Sequence, residues 1–162
     1  MAVDMFLKLD GIDGESKDDA HKGEIDVLAW SWGMSQSGSF HVGGGGGAGK
    51  VNVQDISVTK YIDKATPVLM LDCSNGDHIK EATLTVRKAG KSPLEYVIIK
   101  MTKVLVTSVS TGGSGGEDRL TENITLNFAK VETTYKEQSG TGGEEASKTY
   151  TWDIEANKGD IS

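Results

Sequence analysis

The chain of 162 residues has one cysteine, Cys73, so no internal disulfide framework braces it. Its three histidines, His21, His41 and His78, lie far apart, giving neither a thiolate–imidazole metal set nor HExxH spacing. The GxSxG spelling at Gly112–Gly116 lies in a glycine cluster and not at a strand-to-helix turn, so it is not read as a nucleophile elbow. Basic residues are outnumbered: 17 Lys and Arg against 24 Asp and Glu leave a net charge of −7. No stretch concentrates Lys or Arg with aromatics. Nucleic acid and anionic membranes both recruit partners through positive charge, so neither is an expected ligand. No segment reaches the roughly 18 apolar residues of a membrane span, so membrane insertion is not expected. The opening MAVDMFLKLDG carries acidic residues where a secretory leader would be apolar. These features predict a protein made in a reducing cytoplasm that, if exported, leaves without a leader.

Glycine is what the chain has in excess, 21 of 162 residues. Fourteen of them fall in three clusters, at 38–49, 112–116 and 140–143, so glycine punctuates long loops and does not dilute the whole chain. In the first cluster, Gly44, Gly49 and Lys50 match the start of a phosphate-cradling loop. That motif next requires Ser or Thr and then a helix whose N-terminus faces the phosphates. Val51 stands there instead, and VNVQDISVTK alternates as a strand does. A nucleotide site is excluded on those grounds, as is a dinucleotide fingerprint through Gly44, Gly46 and Gly49. The segment is expected to be a long uncharged loop between two strands.

Period-2 patterns dominate the remainder. Val3, Met5, Leu7 and Leu9 share one face of a first strand, and Ala82, Leu84 and Val86 alternate with Thr83, Thr85 and Arg87. Tyr150, Trp152 and Ile154 mark a last strand, and 96–109 is one central strand or two with a bend. Three segments change phase. Ile25, Val27 and Ala29 give way to Trp30, Trp32 and Met34; Val51 and Val53 to Ile56 and Val58; Ile124, Leu126 and Phe128 to Ala129, Val131, Thr133 and Tyr135. A slip of one residue turns an apolar set to the wrong face unless a bulge or bend resets the pleat. Resets of that kind suit a strongly curved sheet, so the expected fold is mostly β: a tight curved barrel of two sheets, in one domain over 1–162. One short helix is expected, with Asp63 or Thr66 as cap, Pro67 in its first turn and Gly76 as its stop.

The side chains offer no catalytic constellation. The acidic run Asp10, Asp13, Glu15, Asp18 and Asp19 has Ile12 where a calcium loop needs its second ligand, and reads as a solvated loop. Glu117 and Asp118 beside Arg119 read as an ion pair ordering a turn, and the histidines as surface residues. Cys73 reads as a small buried hydrophobe, and Trp30, Trp32 and Trp152 as core aromatics or anchors at a subunit contact. Neither a metal nor a cofactor is implied.

Three runs carry a family likeness: LKLDGIDGESKDDAHKGEIDVLAWSWGMSQSG, VNVQDISVTKYIDKATP and VSTGGSGGEDRLTENITLNFAKVETTY. With the final TYTWDI they resemble the tube proteins of type VI secretion, the haemolysin-coregulated or Hcp family, over nearly the whole chain. The resemblance implies a tight β-barrel with a short helix, assembled as a hexameric ring whose copies stack into a hollow tube. It implies sheath and spike proteins as partners, small effectors carried or stabilised in the lumen, and export without a leader. It also implies that the extended loop at about 36–50, through Gly43, Gly44, Gly45, Gly46, Gly47, Ala48, Gly49 and Lys50, reaches a neighbouring ring. Ordering such a loop costs about 1–2 kcal/mol of backbone entropy per residue, so stacking is expected to be weak beside ring closure.

If Trp30, Trp32 and Met34 face the core, then Ser31, Gly33 and Ser35 face outward. That face lines the lumen as a permissive wall for effectors, packs on a neighbour, or is bare to solvent; Ser31 and Ser35 are the candidate lumen contacts. A monomeric secreted effector-binding or adhesin-like module is the rival function, and oligomeric state separates the two.

Overall fold

Alternating apolar residues become strands almost everywhere that alternation occurs. The computed structural model describes residues 2–38, 49–91, 93–138 and 144–162. Among them run β1 (Val3–Leu9), β2 (Ile25–Ser31), β3 (Met34–Ser35), β4 (Asn52–Val53) and β5 (Ile56–Tyr61). Helix α1 (Thr66–Asn75) follows, then β6 (His78–Lys88), β7 (Glu95–Thr111), β8 (Thr121–Gln138), β9 (Glu144–Asp153) and β10 (Lys158–Ile161). The antiparallel order is β10-β9-β8-β5-β2-β1-β6-β7, and β7 returns to pair with β8. Six strands therefore close into a barrel, while β9 and β10 extend from β8 as a ribbon and β3–β4 form a separate small sheet. The expected β-barrel with one short helix is what the chain builds.

Each phase change has a physical cause. In β2 the register against β5 shifts between Val27 and Ala29, so Leu28 bulges and Trp30 takes over the inward face. Between β4 and β5 the chain breaks at Gln54, whose N–H donates to Gly33 O at 3.0 Å and whose carbonyl accepts Trp32 Nε1 at 2.9 Å. In β8 the change comes with a partner. Lys103 of β7 sits in the left-handed region at φ 57, and the ladder runs from Thr102↔Lys130 straight to Val104↔Phe128. Met101 and Val131 are buried on one side of that point, Val104 and Phe128 on the other, so the two strands change face together. Strand β7 is one 17-residue strand, bent there and bulged again at Thr107.

Strand β8 is shared. Its first half, through Leu126, pairs with β5, and its second half, from Lys130, pairs with β9. The core lies inside the barrel: Leu7, Ile25, Ile56, Val58, Leu84, Met101, Ile124 and Leu126 have essentially no exposed surface. Trp30, Trp32, Trp152 and Ile154 pack against this core half-buried, and Cys73 does likewise, less enclosed than its apolar neighbours suggested. The penultimate strand holds Tyr150 and Trp152. The last strand is β10, which has no apolar alternation to announce it, and Ile154 lies in the turn between them.

Helix α1 has Pro67 in its first turn and Gly76 as its stop, as expected, but its N-cap is Ala65 without a side-chain cap bond, so neither Asp63 nor Thr66 is the cap. Asp63 shapes its entry by accepting the Ala65 N–H at 3.0 Å, and Gly76, at φ 75, donates back to Asp72 O. Its apolar residues do not share one face: Leu69 is buried, while Val68, Met70 and Leu71 are exposed. Among the described residues no helix is long and apolar enough to cross a membrane.

Candidate functional site

Half of the barrel turns an uncharged polar face outward. Each strand alternates, so every inward apolar residue leaves a small polar one outside. The register aligns these into rows across four strands: Ser31, Ser57, Thr125 and Ser108 form one, and Ala29, Thr59, Asn123 and Ser110 the next. Hydroxyls knit the rows together. Thr59 Oγ1 donates to Asn123 Oδ1 at 2.6 Å, and Thr125 Oγ1 meets the hydroxyls of Ser108 at 2.5 Å and Thr107 at 2.7 Å. Asp55 closes one end, accepting from Thr107 at 2.7 Å and from Asn127 Nδ2 at 2.8 Å.

The lateral edges of this wall are open among the described residues. Only Ile25 and Asp26 of β2 pair with β1, so Leu28–Ser31 have no strand on that side. On the opposite edge, the β6 ladder with β7 ends at Leu105, and Ser108–Thr111 pair with β8 alone. Two different edges, one at each side, are thus left with unpaired backbone groups.

Ser31 lies in this wall, exposed, as the alternation predicted. Ser35 does not: it is exposed on β3, opposite Asn52 in the small sheet, so the structure leaves the two serines in separate sheets. Met34 faces out at 43% exposure, contrary to the expected inward turn, with its sulfur 3.7 Å from the Tyr150 hydroxyl. The cause is the break after Ser31, which ends the alternation that began at Trp30. Of the glycine loop, Gly43–Ala48 and His41 lie outside the described residues. Gly49 and Lys50 are exposed, and a Cβ at 49 would meet the hydroxyl of exposed Ser37, a side chain that can rotate away.

Charged side chains gather elsewhere. His21 is buried, not on the surface. Its ring stacks on Phe6 at 4.4 Å, and its nitrogens face Glu24 at 2.9 Å and Glu95 at 2.7 Å. Arg87 lies over the Phe6 ring at 4.9 Å and pairs with Asp4 and Asp18. Its hydrogen bonds hold the Asp18 carboxyl below the usual carboxylate range. The acidic run is therefore only partly solvated: Asp13 and Glu15 face water while Asp18 fastens the loop to β6. Among the described residues no ion pair joins Arg119 to Glu117 or Asp118; its guanidinium lies 3.7 Å over the Tyr61 ring. No group of three or more His, Cys, Asp or Glu among the described residues is placed to hold a metal ion.

Sequence reasoning missed Ser57, Thr59, Asn123, Thr125 and Ser108 as members of one surface. The signal existed, since each alternates with a core residue. Which strands lie side by side was not readable from the residues, and only adjacency makes a wall of them.

Known proteins agree with this fold. A family model described as "Type VI secretion system effector, Hcp" matches residues 6–135. The chain is 64% identical to Protein hcp1 of Pseudomonas aeruginosa over 159 residues, 97% of this chain and 98% of that protein. The crystal structure of Hcp1 from Salmonella typhimurium superposes with a TM-score of 0.80 at 43% identity, covering 99% of this chain and all of that one. A structure described as that of a type six secretion system protein gives 0.89 at 31% identity, over 98% of this chain and 100% of the other. An effector of type VI secretion from Yersinia pestis gives 0.75 at 40%, over 93% and 100%. A closed six-stranded barrel with a ribbon, a short helix and these matches along almost its full length identify the chain as a member of the Hcp family of type VI secretion proteins.

Proposed function

We propose that this chain is the tube subunit of a type VI secretion machine, a structural part without an active site. Six copies close head-to-tail into a ring, rings stack through the loop at 43–50, and the stack forms a hollow tube. The tube is made in the cytoplasm, enclosed by sheath proteins, tipped by a spike and exported. Small effectors ride in its lumen.

The observation that carries this reading is the polar four-stranded wall with two unlike open edges. A closed ring needs two different patches on each subunit that meet under a rotation. The β2 edge at Leu28–Ser31 and the β7 edge at Ser108–Thr111 supply such patches, and pairing them continues the wall from one copy to the next. The hydroxyl face then becomes the lining, with Ser31 in it. A lining without Lys, Arg or Glu in its two rows grips no single charge pattern, which suits a carrier of varied cargo.

Negative-stain images and sedimentation of the purified protein test the reading. Closed rings of uniform size are expected, and replacing residues 43–49 by a short turn should keep rings while abolishing tubes. A species of about 17 kDa at every concentration would remove the ring and leave a monomeric module.

A further inference from the structure

We propose that Lys60 and Glu122 form a register lock: a buried charge pair that fixes how far β5 lies along β8. The two residues are cross-strand partners, and both side chains are wholly buried. Lys60 Nζ pairs with Glu122 Oε2 and donates to Asp63 Oδ1 at 2.9 Å and to Tyr61 O at 2.9 Å. Thr66, at the start of α1, donates its hydroxyl to the same Glu122 oxygen at 2.6 Å.

This cluster is a poor choice for stability alone. It sets one cation against two carboxylates, and Glu122 Oε1 is buried with no partner. Buried ion pairs often contribute no more than apolar residues of similar volume, and their best-attested role is to select one arrangement among several.

The apolar pattern here leaves several arrangements open. A one-residue slip of β5 would turn Ile56 and Val58 outward and is forbidden by burial. A slip of two residues, about 7 Å, keeps every face correct. In one direction Val58 moves opposite Glu122 and Lys60 opposite Leu120. In the other, Ile56 faces Phe128 and Lys60 faces Ile124. Hydrophobic burial barely separates these registers from the native one. Charge does, because either slip takes the Lys60 ammonium away from the Glu122 carboxylate. Register also decides whether Ser57 and Thr59 line up with Thr125 and Asn123 on the outer wall.

Disulfide trapping in the full chain, with Cys73→Ala, reads the register directly. Thr59→Cys with Asn123→Cys reports the native pairing; Ser57→Cys with Asn123→Cys and Thr59→Cys with Thr125→Cys report the two slips. Diagonal neighbours sit about 7–8 Å apart and cross-link poorly, so the native pair should exceed either slipped pair by about tenfold with Lys60 and Glu122 present. In the background K60M/E122L the chain should still melt cooperatively, while a slipped pair rises to a yield comparable with the native one. Glu122→Gln, which keeps volume and an acceptor for Thr66, should raise a slipped pair to a lesser degree. A single native register in both backgrounds would overturn the lock. So would an unfolded double variant, since the cluster would then carry stability, not register.

Discussion

Replacing Lys60 with Met removes one charge from the core while keeping most of its volume. The side chain has no exposed surface, so no water moves in to compensate. Glu122 would retain only the Thr66 hydroxyl, and Asp63, 7% exposed, only the Ala65 N–H. Leaving such a charge buried and unpaired costs about 3–5 kcal/mol. For a domain of this size each kcal/mol is worth roughly 2–4 °C, so the expected fall in Tm is about 6–20 °C. Half-buried Trp30, Trp32 and Trp152 report the transition by fluorescence. Wild type and variant must be compared at one protomer concentration, because assembly stabilises the folded form. Adding Glu122→Leu removes one of the two stranded carboxylates and should recover part of the loss, with Asp63 still left to the Ala65 N–H. A single-variant cost below about 1 kcal/mol, the scale of an exposed pair, would refute the argument that this charge is sealed from solvent.

Other outcomes follow from the same geometry. Lys103→Val should destabilise by about 1–3 kcal/mol, because a β-branched residue strains at φ 57, whereas Lys103→Gly should stay within about 1 kcal/mol; equal losses in urea unfolding would contradict this. Arg87 lowers the Asp18 carboxyl in the folded protein, so their pairing contributes fully above about pH 4 and is lost as pH falls through the lowered value. Arg87→Gln should therefore flatten the acid limb of stability against pH, and an unchanged limb would remove Arg87 as its source. Ser31→Gln should reduce recovery of co-purified effector while leaving particle size unchanged; full recovery would take Ser31 out of the cargo surface.

The barrel was legible because its resets leave marks in the sequence. At Leu28 the apolar phase moves by one residue, and the bulge sits where it moves. At 103 and 129 only the β8 half of the event showed, since Lys103 gives no hint of a left-handed backbone in a lysine. The helix boundaries followed from Pro67 and Gly76, but the outward turn of Val68, Met70 and Leu71 did not, because an apolar run has no sidedness of its own. Strand β10 escaped notice: Lys158–Ile161 has no apolar alternation, and its place is set by Gly159 lying flush on the Thr151 backbone and the Trp152 ring. Lys60 and Glu122 were readable in principle, as opposite charges in phase with Ile56, Val58 and with Ile124, Leu126. His21 was not, since what holds it is the Phe6 ring of β1 and the Glu95 carboxylate of β7, brought to it only by the fold.

The long shared strand has a mechanical consequence. Strand β8 keeps β7 beside it from Glu122 to Tyr135 while exchanging β5 for β9 on its other flank. Tension applied along its axis would load that whole ladder in shear, so many bonds must fail together. A pull across the ribbon from β10 would instead break them one after another. The molecule is stiff in one direction and peelable in the other.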